Sequence, residues 1–232
     1  MVWGDVSQPA VVAYAATPVW LELSKGSKGL PLAAPCGAGS RLGSGAGKKV
    51  TDFIQDHADG VILAVDQMSL YFQATTTRVW SLRGQTPTIR VATQRDQVHF
   101  YGALNVCSGQ ESVLTLPKLS GEMTCHFLDH VQAVYPRRAL LIGWDRAKGH
   151  KGNVVQDYLA EHPHLQTLHF PPGCPQLNPQ AHVWERTRDA VSHNHTQTDF
   201  PALVRACRRH LETTCFQFEW IEQYIPLTLL AR

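Results

Sequence analysis

The sequence predicts an α/β domain built on a mixed β-sheet, with antiparallel first strands, parallel later strands and flanking helices. Short β-rich segments joined by turn residues occupy residues 60–119, which is typical of antiparallel strands. From residue 121 onwards, helical and strand patterns alternate, which indicates parallel strands joined by crossover helices. Two of the apolar runs end in an aspartate, so we expect two acids at one edge of the sheet.

The first half of this region carries most of the strand signals. "GVILAVD" (60–66) is a short apolar run that predicts a buried strand ending in an acid. "LYFQATT" and "TIRVAT" are rich in β-forming residues and are separated by the turn-like segment "RGQTP". "VHFYGALNV" and "SVLTLPKL" flank "CSGQ", which predicts a hairpin with Gly109 in its loop.

The second half alternates between helix and strand. "GEMTCHFLDHVQAVYP" has apolar residues at helical spacing until Pro136 ends the run. "RALLIGWD" then predicts a strand ending in an acid, "NVVQDYLAEHP" a helix and "LQTLHFPP" a further strand. Asn178 is predicted to cap the next helix, with Pro179 at its first position, and Asp199 to cap the last one. This order of elements is the arrangement of the RNase H-like fold, which we predict for residues 58–232.

Residues 1–57 differ in composition and are rich in Gly, Ala, Ser and Pro. The run "CGAGSRLGSGAGKK" is close to low complexity and predicts a flexible or truncated N-terminal segment without helical periodicity. Two alternatives are weaker. The GxGxxxG spacing of Gly37, Gly39 and Gly43 follows no clear strand, as a dinucleotide site would require. A phosphate-binding loop is excluded because its "GK" is followed by a second lysine instead of Ser or Thr.

Composition sets bounds on partners and location. A formal net charge of +2 neither announces nor excludes a nucleic-acid-binding protein. The six cysteines show no CxxC spacing, so we expect reduced thiols and a cytoplasmic protein. The apolar run "AVVAYAATPVWLEL" is too short to span a membrane, and the first residues lack the basic start of a signal peptide. We therefore expect no association with a membrane.

Asp66 and Asp145 stand out by position. Each is predicted to close an apolar strand, and both carboxylates emerge at one sheet edge if the two strands are neighbours. Close carboxylates repel each other unless a cation neutralises them. Hard oxygen ligands select Mg²⁺ or Mn²⁺, and two such ions can hold the attacking and leaving oxygens of a phosphodiester displacement. The alternative left open is that each aspartate merely ends a strand or caps a turn.

Three segments that contain these positions follow one another in the chain: "VILAVDQMSLYFQATTTRVWSLRGQTP", "ALLIGWDRAKGH" and "FPPGCPQLNPQAHVW". Together they resemble the three catalytic blocks of the DDE transposases of bacterial insertion sequences, in the mariner-like branch. The resemblance implies an RNase H-like DDE endonuclease domain that cleaves DNA ends and transfers strands into target DNA. It also implies two bound Mg²⁺ or Mn²⁺ ions.

By motif position, Asp66 and Asp145 match the first two metal-binding acids of that family. The third acid is a Glu placed two residues after the Pro of "LNP", and here that slot holds Ala181. The 35 residues between Asp145 and this slot are close to the family's spacing. Glu185 lies one helical turn further on the same face and is the candidate substitute metal ligand. A lesser departure is Gln67, where many relatives carry a Glu.

Several polar residues near these blocks are candidate DNA contacts. His150 is a candidate for contacting a phosphate or a metal-bound water. Lys148, Lys151, Arg186 and Arg188 are candidates for phosphate contacts. For each of them, an ordinary solvated surface residue remains the alternative.

The function predicted from the sequence is that of an insertion-sequence transposase, as a truncated and catalytically impaired copy. Its partners would be the transposon ends and target DNA, with a homodimer left open. Its place would be the bacterial cytoplasm, associated with the nucleoid when bound to DNA. The alternatives are a non-catalytic DNA-binding remnant or domesticated protein with the same fold, and a ribonuclease acting on RNA–DNA hybrids.

Overall fold

The computed structural model describes residues 44–77, 94–147, 150, 152–171, 174 and 177–223. The predicted strand "TIRVAT" and the glycine motif at 37–43 lie outside them. No helix among the described residues is long and apolar enough to cross a membrane.

A five-stranded mixed sheet forms the centre of the fold. Its strands are β1 Val61–Tyr71, β2 Gln97–Asn105, β3 Glu111–Leu116, β4 Leu140–Trp144 and β5 Leu165–His169. They lie side by side in the order β3-β2-β1-β4-β5. The pairs β1/β2 and β2/β3 are antiparallel, whereas β1/β4 and β4/β5 are parallel. The predicted mixed sheet is confirmed, including the β2–β3 hairpin with Gly109 at a positive φ of 71° in its loop.

In the described part of the chain, five α-helices flank the sheet: α1 Ser44–Asp56, α2 Gly121–Val134, α3 Asn153–Glu161, α4 Pro179–Thr187 and α5 Phe200–Thr213. A π-helical turn, Arg188–Ser192, follows α4, and a 3₁₀ turn, Glu219–Gln223, follows α5. The predicted caps are confirmed, because the Asn178 side chain accepts from the Gln180 N–H and Asp199 accepts from the Ala202 N–H. Each cap fixes where its helix begins.

The two faces of the sheet are covered by different helices. On one face, β1 residues Val61, Leu63 and Val65 pack with α2 and α3 in one apolar cluster. On the other face, Ala64, Met68 and Leu70 pack with α4 and α5 in a second cluster. Alternation along β1 therefore decides which helices its side chains meet. Asp66 lies between Ala64 and Met68, so its side chain belongs to the face covered by α4.

Helix α1 lies within the segment for which we expected no helical periodicity, so that expectation is wrong for residues 44–56. Val50 and Phe53 are buried, and they pack with Ile62 and Leu141 of the sheet. Lys49 Nζ donates to the Thr167 carbonyl of β5 at 2.7 Å. The polar and glycine-rich composition of this stretch conceals a single apolar helical face. The domain boundary at residue 57 and the character of residues 1–43 stay predictions.

Phe53→Ala is expected to lower the free energy of unfolding by about 3 kcal/mol, because it removes a buried aromatic ring from the contact between α1 and the sheet. Urea denaturation followed by circular dichroism measures the change. Asp52→Ala is the matched control, since Asp52 is exposed on the same helix. Equal stability of the two variants would mean that α1 is not part of the folded domain.

The cysteines agree with expectation only in part. Cys107, Cys125, Cys207 and Cys215 are free. Cys174 is disulfide-bonded, so the expectation of reduced thiols is wrong at that residue. Spacing along the chain carries no information on which distant cysteines meet in space, and the sequence could not have indicated this bond.

Candidate active site

The two strand acids lie at the same level of the sheet. In the parallel register of β1 and β4, Ala64 is the partner of Gly143. Asp66 and Asp145 each follow two residues later, so both lie just beyond the last shared pair, and the charge of Asp145 acts on Asp66. Asp66 does not end its strand as predicted, because β1 continues to Tyr71 through its pairing with β2. Because β4 ends at Trp144, β1 has no paired neighbour on that side at the level of Asp66.

The surroundings of Asp66 disfavour the charged form of its carboxyl group. Burial is the main cause that raises its pKa from 3.8 to about 6, and the charge of Asp145 raises it further. A hydrogen bond from the backbone of Gln67 opposes the rise, as do the Trp184 side chain and the charge of Arg188. The two aspartates are therefore close enough to repel each other. The charge of Arg188, a candidate DNA contact, favours the ionised form of the same carboxyl group.

His150 joins the two acid-bearing strands. Its ring is fully buried and stacks on Trp144, with centroids 4.5 Å apart and planes 8° from parallel. Nδ1 lies 2.9 Å from Asp145 Oδ1, and Nε2 lies 2.7 Å from the Gln67 amide nitrogen. Burial lowers the pKa of His150, which favours the neutral ring. In that form Nδ1–H donates to Asp145 and Nε2 accepts from Gln67. The ring therefore orients Asp145.

Helix α4 carries Ala181, the position at which the resemblance of the sequence predicts the third acid. Trp184 is buried on the sheet side of α4, and its side chain lowers the pKa of Asp66. Ala181 is three residues earlier and so shares that side of the helix, one turn closer to the cap at Asn178. Among the described residues, no group of three or more His, Cys, Asp or Glu side chains could hold a metal ion.

Two other predicted residues of α4 have different surroundings. Glu185, the candidate substitute ligand, is 72% exposed, and its Oε2 lies 3.6 Å from His182 Nδ1. Arg186 places its guanidinium 4.3 Å from the centre of the Phe218 ring and donates to the Gln217 carbonyl. Arg186 thus holds the segment before the 3₁₀ turn against α4. Lys148 and Lys151 lie outside the described residues.

The sequence did not point to Glu111, which lies on the sheet face that carries Asp66. Glu111 Oε1 accepts from Gln180 Nε2 at 2.8 Å, and burial raises the pKa of this carboxyl well above its ordinary value. Its register partner is Leu104, a member of the cluster under α4 and α5. An acid at the start of an edge strand is ordinary in a sequence, so no local signal separates Glu111 from a solvated residue.

Comparison with known proteins identifies the family. The model of the DDE superfamily endonuclease family matches residues 61–204, which is more than half of the chain. The chain belongs to the DDE superfamily endonucleases. Asp66, Asp145 and Ala181 all lie within the matched range.

Individual relatives agree with this family. Over 157 residues the chain is 23% identical to an insertion element IS630 uncharacterized 39 kDa protein of Shigella sonnei, covering 67% of this chain and 46% of that protein. The fold is similar to the Mos1 transposase paired-end complex with left transposon end, with a TM-score of 0.57 and 14% identity, over 91% of this chain and 64% of that one. A pre-cleavage Mos1 transpososome gives a TM-score of 0.56 at 13% identity, over 80% and 57% of the two chains. The chain thus spans less than two thirds of each of these proteins.

The contacts of His150 predict a stability effect. His150→Leu is expected to lower the free energy of unfolding by about 2 kcal/mol, because Asp145 and Gln67 both lose a hydrogen-bond partner. Urea denaturation at pH 7.5 measures it. His126→Leu is the matched control, because His126 is exposed on α2 and should change stability by less than about 0.5 kcal/mol. Similar losses in both variants would contradict the orienting role.

Proposed function

We propose that this DDE endonuclease domain belongs to the transposase of an insertion sequence and acts on phosphodiester bonds at DNA ends. The observation that carries the proposal is the placement of Asp66 and Asp145 at one level of two neighbouring strands, with Asp66 beside the helix that bears position 181. Similarity to an insertion-element protein and to Mos1 transposase complexes with DNA supports the same reading.

The residues present fit a divalent cation in part. Asp66 and Asp145 supply hard carboxylate oxygens, which suit Mg²⁺ or Mn²⁺. Burial, and to a lesser extent the charge of Asp145, raises the pKa of Asp66, so a bound cation would favour its charged form. These two aspartates would hold the ion. Once bound, it would supply Lewis acidity towards a DNA phosphate. The second ion of a two-metal site would lack its carboxylate, because position 181 is alanine.

The chain's own residues would then orient the acids and the DNA. His150 would hold Asp145 in one rotamer through the Nδ1–Oδ1 contact of 2.9 Å. Arg188, whose charge acts on Asp66, would contact a phosphate bound at the acids. Lys148 and Lys151 stay candidates for phosphate contacts by their closeness to Asp145 in the sequence. Arg186 is the weakest DNA contact of the set, because Phe218 and Gln217 already engage it.

We propose further that this copy is catalytically impaired at Ala181. Under this proposal the protein works in the bacterial cytoplasm, bound to the nucleoid through transposon ends and target DNA, with a homodimer as its candidate assembly. The second candidate function is that of a non-catalytic DNA-binding remnant or domesticated protein. The lack of a third metal-binding side chain among the described residues favours this second candidate.

A nicking assay separates these functions. The substrates are duplex DNA carrying the inverted repeats that flank the gene, a scrambled duplex and an RNA–DNA hybrid, each with Mn²⁺ or EDTA. The transposase proposal expects weak Mn²⁺-dependent cleavage at the repeat ends, abolished by Asp145→Ala. Binding without cleavage would favour the remnant, and cleavage confined to the hybrid would favour a ribonuclease. A protein that neither binds nor cleaves any of these substrates would rule out the transposase proposal.

A further inference from the structure

A buried polar pair, Glu111 and Gln180, joins the edge strand β3 to the first turn of α4. Gln180 Nε2 donates to Glu111 Oε1 at 2.8 Å, across 69 positions of sequence. Gln180 has no exposed surface and immediately precedes position 181. The hydrogen bond therefore attaches the helix turn that bears the third-acid slot to a strand that carries neither aspartate.

The pair lies directly on the backbone opposite Asp66. Gly102 of β2 is the register partner of Asp66. A Cβ atom at residue 102 would collide with Glu111 Oε1, Gln180 Nε2 and the Trp184 ring. A side chain at this position would displace the pair or lift α4 from the sheet. The glycine thus leaves space for the pair at the level of the candidate active site.

Packing alone gives no reason for this pair. Glu111 Oε2 and Gln180 Oε1 are buried and have no hydrogen-bond partner among the described residues. Two apolar side chains of similar volume would avoid that cost, so they would be neutral or stabilising here. The surrounding contacts of Val183, Trp184 and Leu203 are apolar and non-directional, so they do not fix how far α4 slides along the sheet. A directional hydrogen bond does fix it.

We propose that Glu111 is a positioning residue that holds Gln180 and thereby sets position 181 level with Asp66. The consequence for catalysis rests on the proposed function, whereas the positioning itself does not. Glu111 then acts through α4 and touches neither the metal nor the DNA.

Hydrogen exchange in the full chain tests the positioning directly. Glu111→Leu combined with Gln180→Leu is expected to keep the melting temperature at or above that of the wild type. Amide exchange in residues 178–187 should nevertheless become about fivefold faster, because one hydrogen bond anchoring the turn is lost. Exchange in α5 should be unchanged. The single variant Glu111→Gln keeps an acceptor for Gln180, so its exchange at 178–187 should stay as slow as in the wild type. Unchanged exchange at 178–187 in the leucine variant would overturn the proposal.

If the leucine variant does not fold, Gln180→Met replaces it in the test, because methionine keeps the approximate shape of glutamine and removes the hydrogen-bond donor. The same exchange measurement applies to it. Faster exchange at 178–187 supports the positioning role, and unchanged exchange overturns it.

Manganese binding tests the consequence for the site. In the Ala181→Glu background, the two leucine substitutions are expected to weaken Mn²⁺ binding by about tenfold in calorimetry, which corresponds to about 1.4 kcal/mol. Undiminished binding would overturn the link between Glu111 and the site. If Ala181→Glu alone gains no affinity for Mn²⁺, the third-carboxylate slot fails, and the exchange result decides the role of Glu111 by itself.

Discussion

Replacing Ala181 with glutamate is expected to raise Mn²⁺-dependent cleavage of duplex DNA by about a hundredfold or more. The new carboxylate would project from the side of α4 that carries Trp184, towards Asp66. A unit charge about 4 Å from a cation contributes roughly 4 kcal/mol at an intermediate effective dielectric. Recovering most of that at the ion with an incomplete shell accounts for the expected gain. Single-turnover cleavage at saturating Mn²⁺ measures the rate.

Two variants separate charge at this position from charge in general. Ala181→Gln has the size of glutamate without its charge and should give no gain. Ala190→Glu adds the same charge at an exposed residue in the turn after α4 and should also give none. A folded Ala181→Glu protein that cleaves no faster than the wild type would mean that residue 181 is not the third-acid slot.

The order of elements in the sheet was readable from the sequence because burial leaves a periodic mark. The run ending at Asp66 and the run ending at Asp145 are apolar throughout, as strands covered on both faces must be. Asn178 and Asp199 mark helix starts because a cap needs only a local acceptor. The true end of β1 at Tyr71 could not be read in this way, since pairing with β2 lengthens the strand beyond its apolar run.

The candidate site was predictable only where a residue's role depends on its own segment. Asp66 and Asp145 follow from strand ends, and Ala181 from its distance to a local turn. The contact of His150 with Gln67, and that of Glu111 with Gln180, join elements far apart in the chain. Contacts between side chains of distant elements depend on the register of the sheet, and register cannot be read directly from a single sequence.

Asp66→Asn is expected to stabilise the metal-free protein by about 3 kcal/mol at pH 8 and to change little near pH 4. The folded state raises the pKa of Asp66 to about 6 from 3.8, so ionising it costs free energy only when the chain is folded. Below pH 3.8 both states are protonated and there is no cost. Stability then falls as the pH rises from 3.8 to 6, and above 6 the full cost remains. Asparagine keeps the shape and removes the charge.

Urea denaturation of both proteins in EDTA at several pH values measures this difference. Subtracting the two curves cancels the titrations that they share, so only Asp66 and the groups coupled to it contribute. Asp59→Asn is the matched control, because the Asp59 side chain is 77% exposed and should show no pH-dependent gain. Equal stability of wild type and Asp66→Asn at pH 8 would mean that the Asp66 carboxylate is not strained by its surroundings.

Added Mn²⁺ should reverse the order of the two proteins at pH 8. A cation held between Asp66 and Asp145 would remove the cost of ionising Asp66, and it would stabilise the folded wild type further as its concentration exceeds the dissociation constant. Asp66→Asn lacks one of the two carboxylates and should gain much less. Such a reversal is the expected signature of a cation site, because a bound ion would offset both the burial of the Asp66 charge and its repulsion by Asp145. A wild type that gains no stability from Mn²⁺ would separate the strain from metal binding and leave it as a property of the fold.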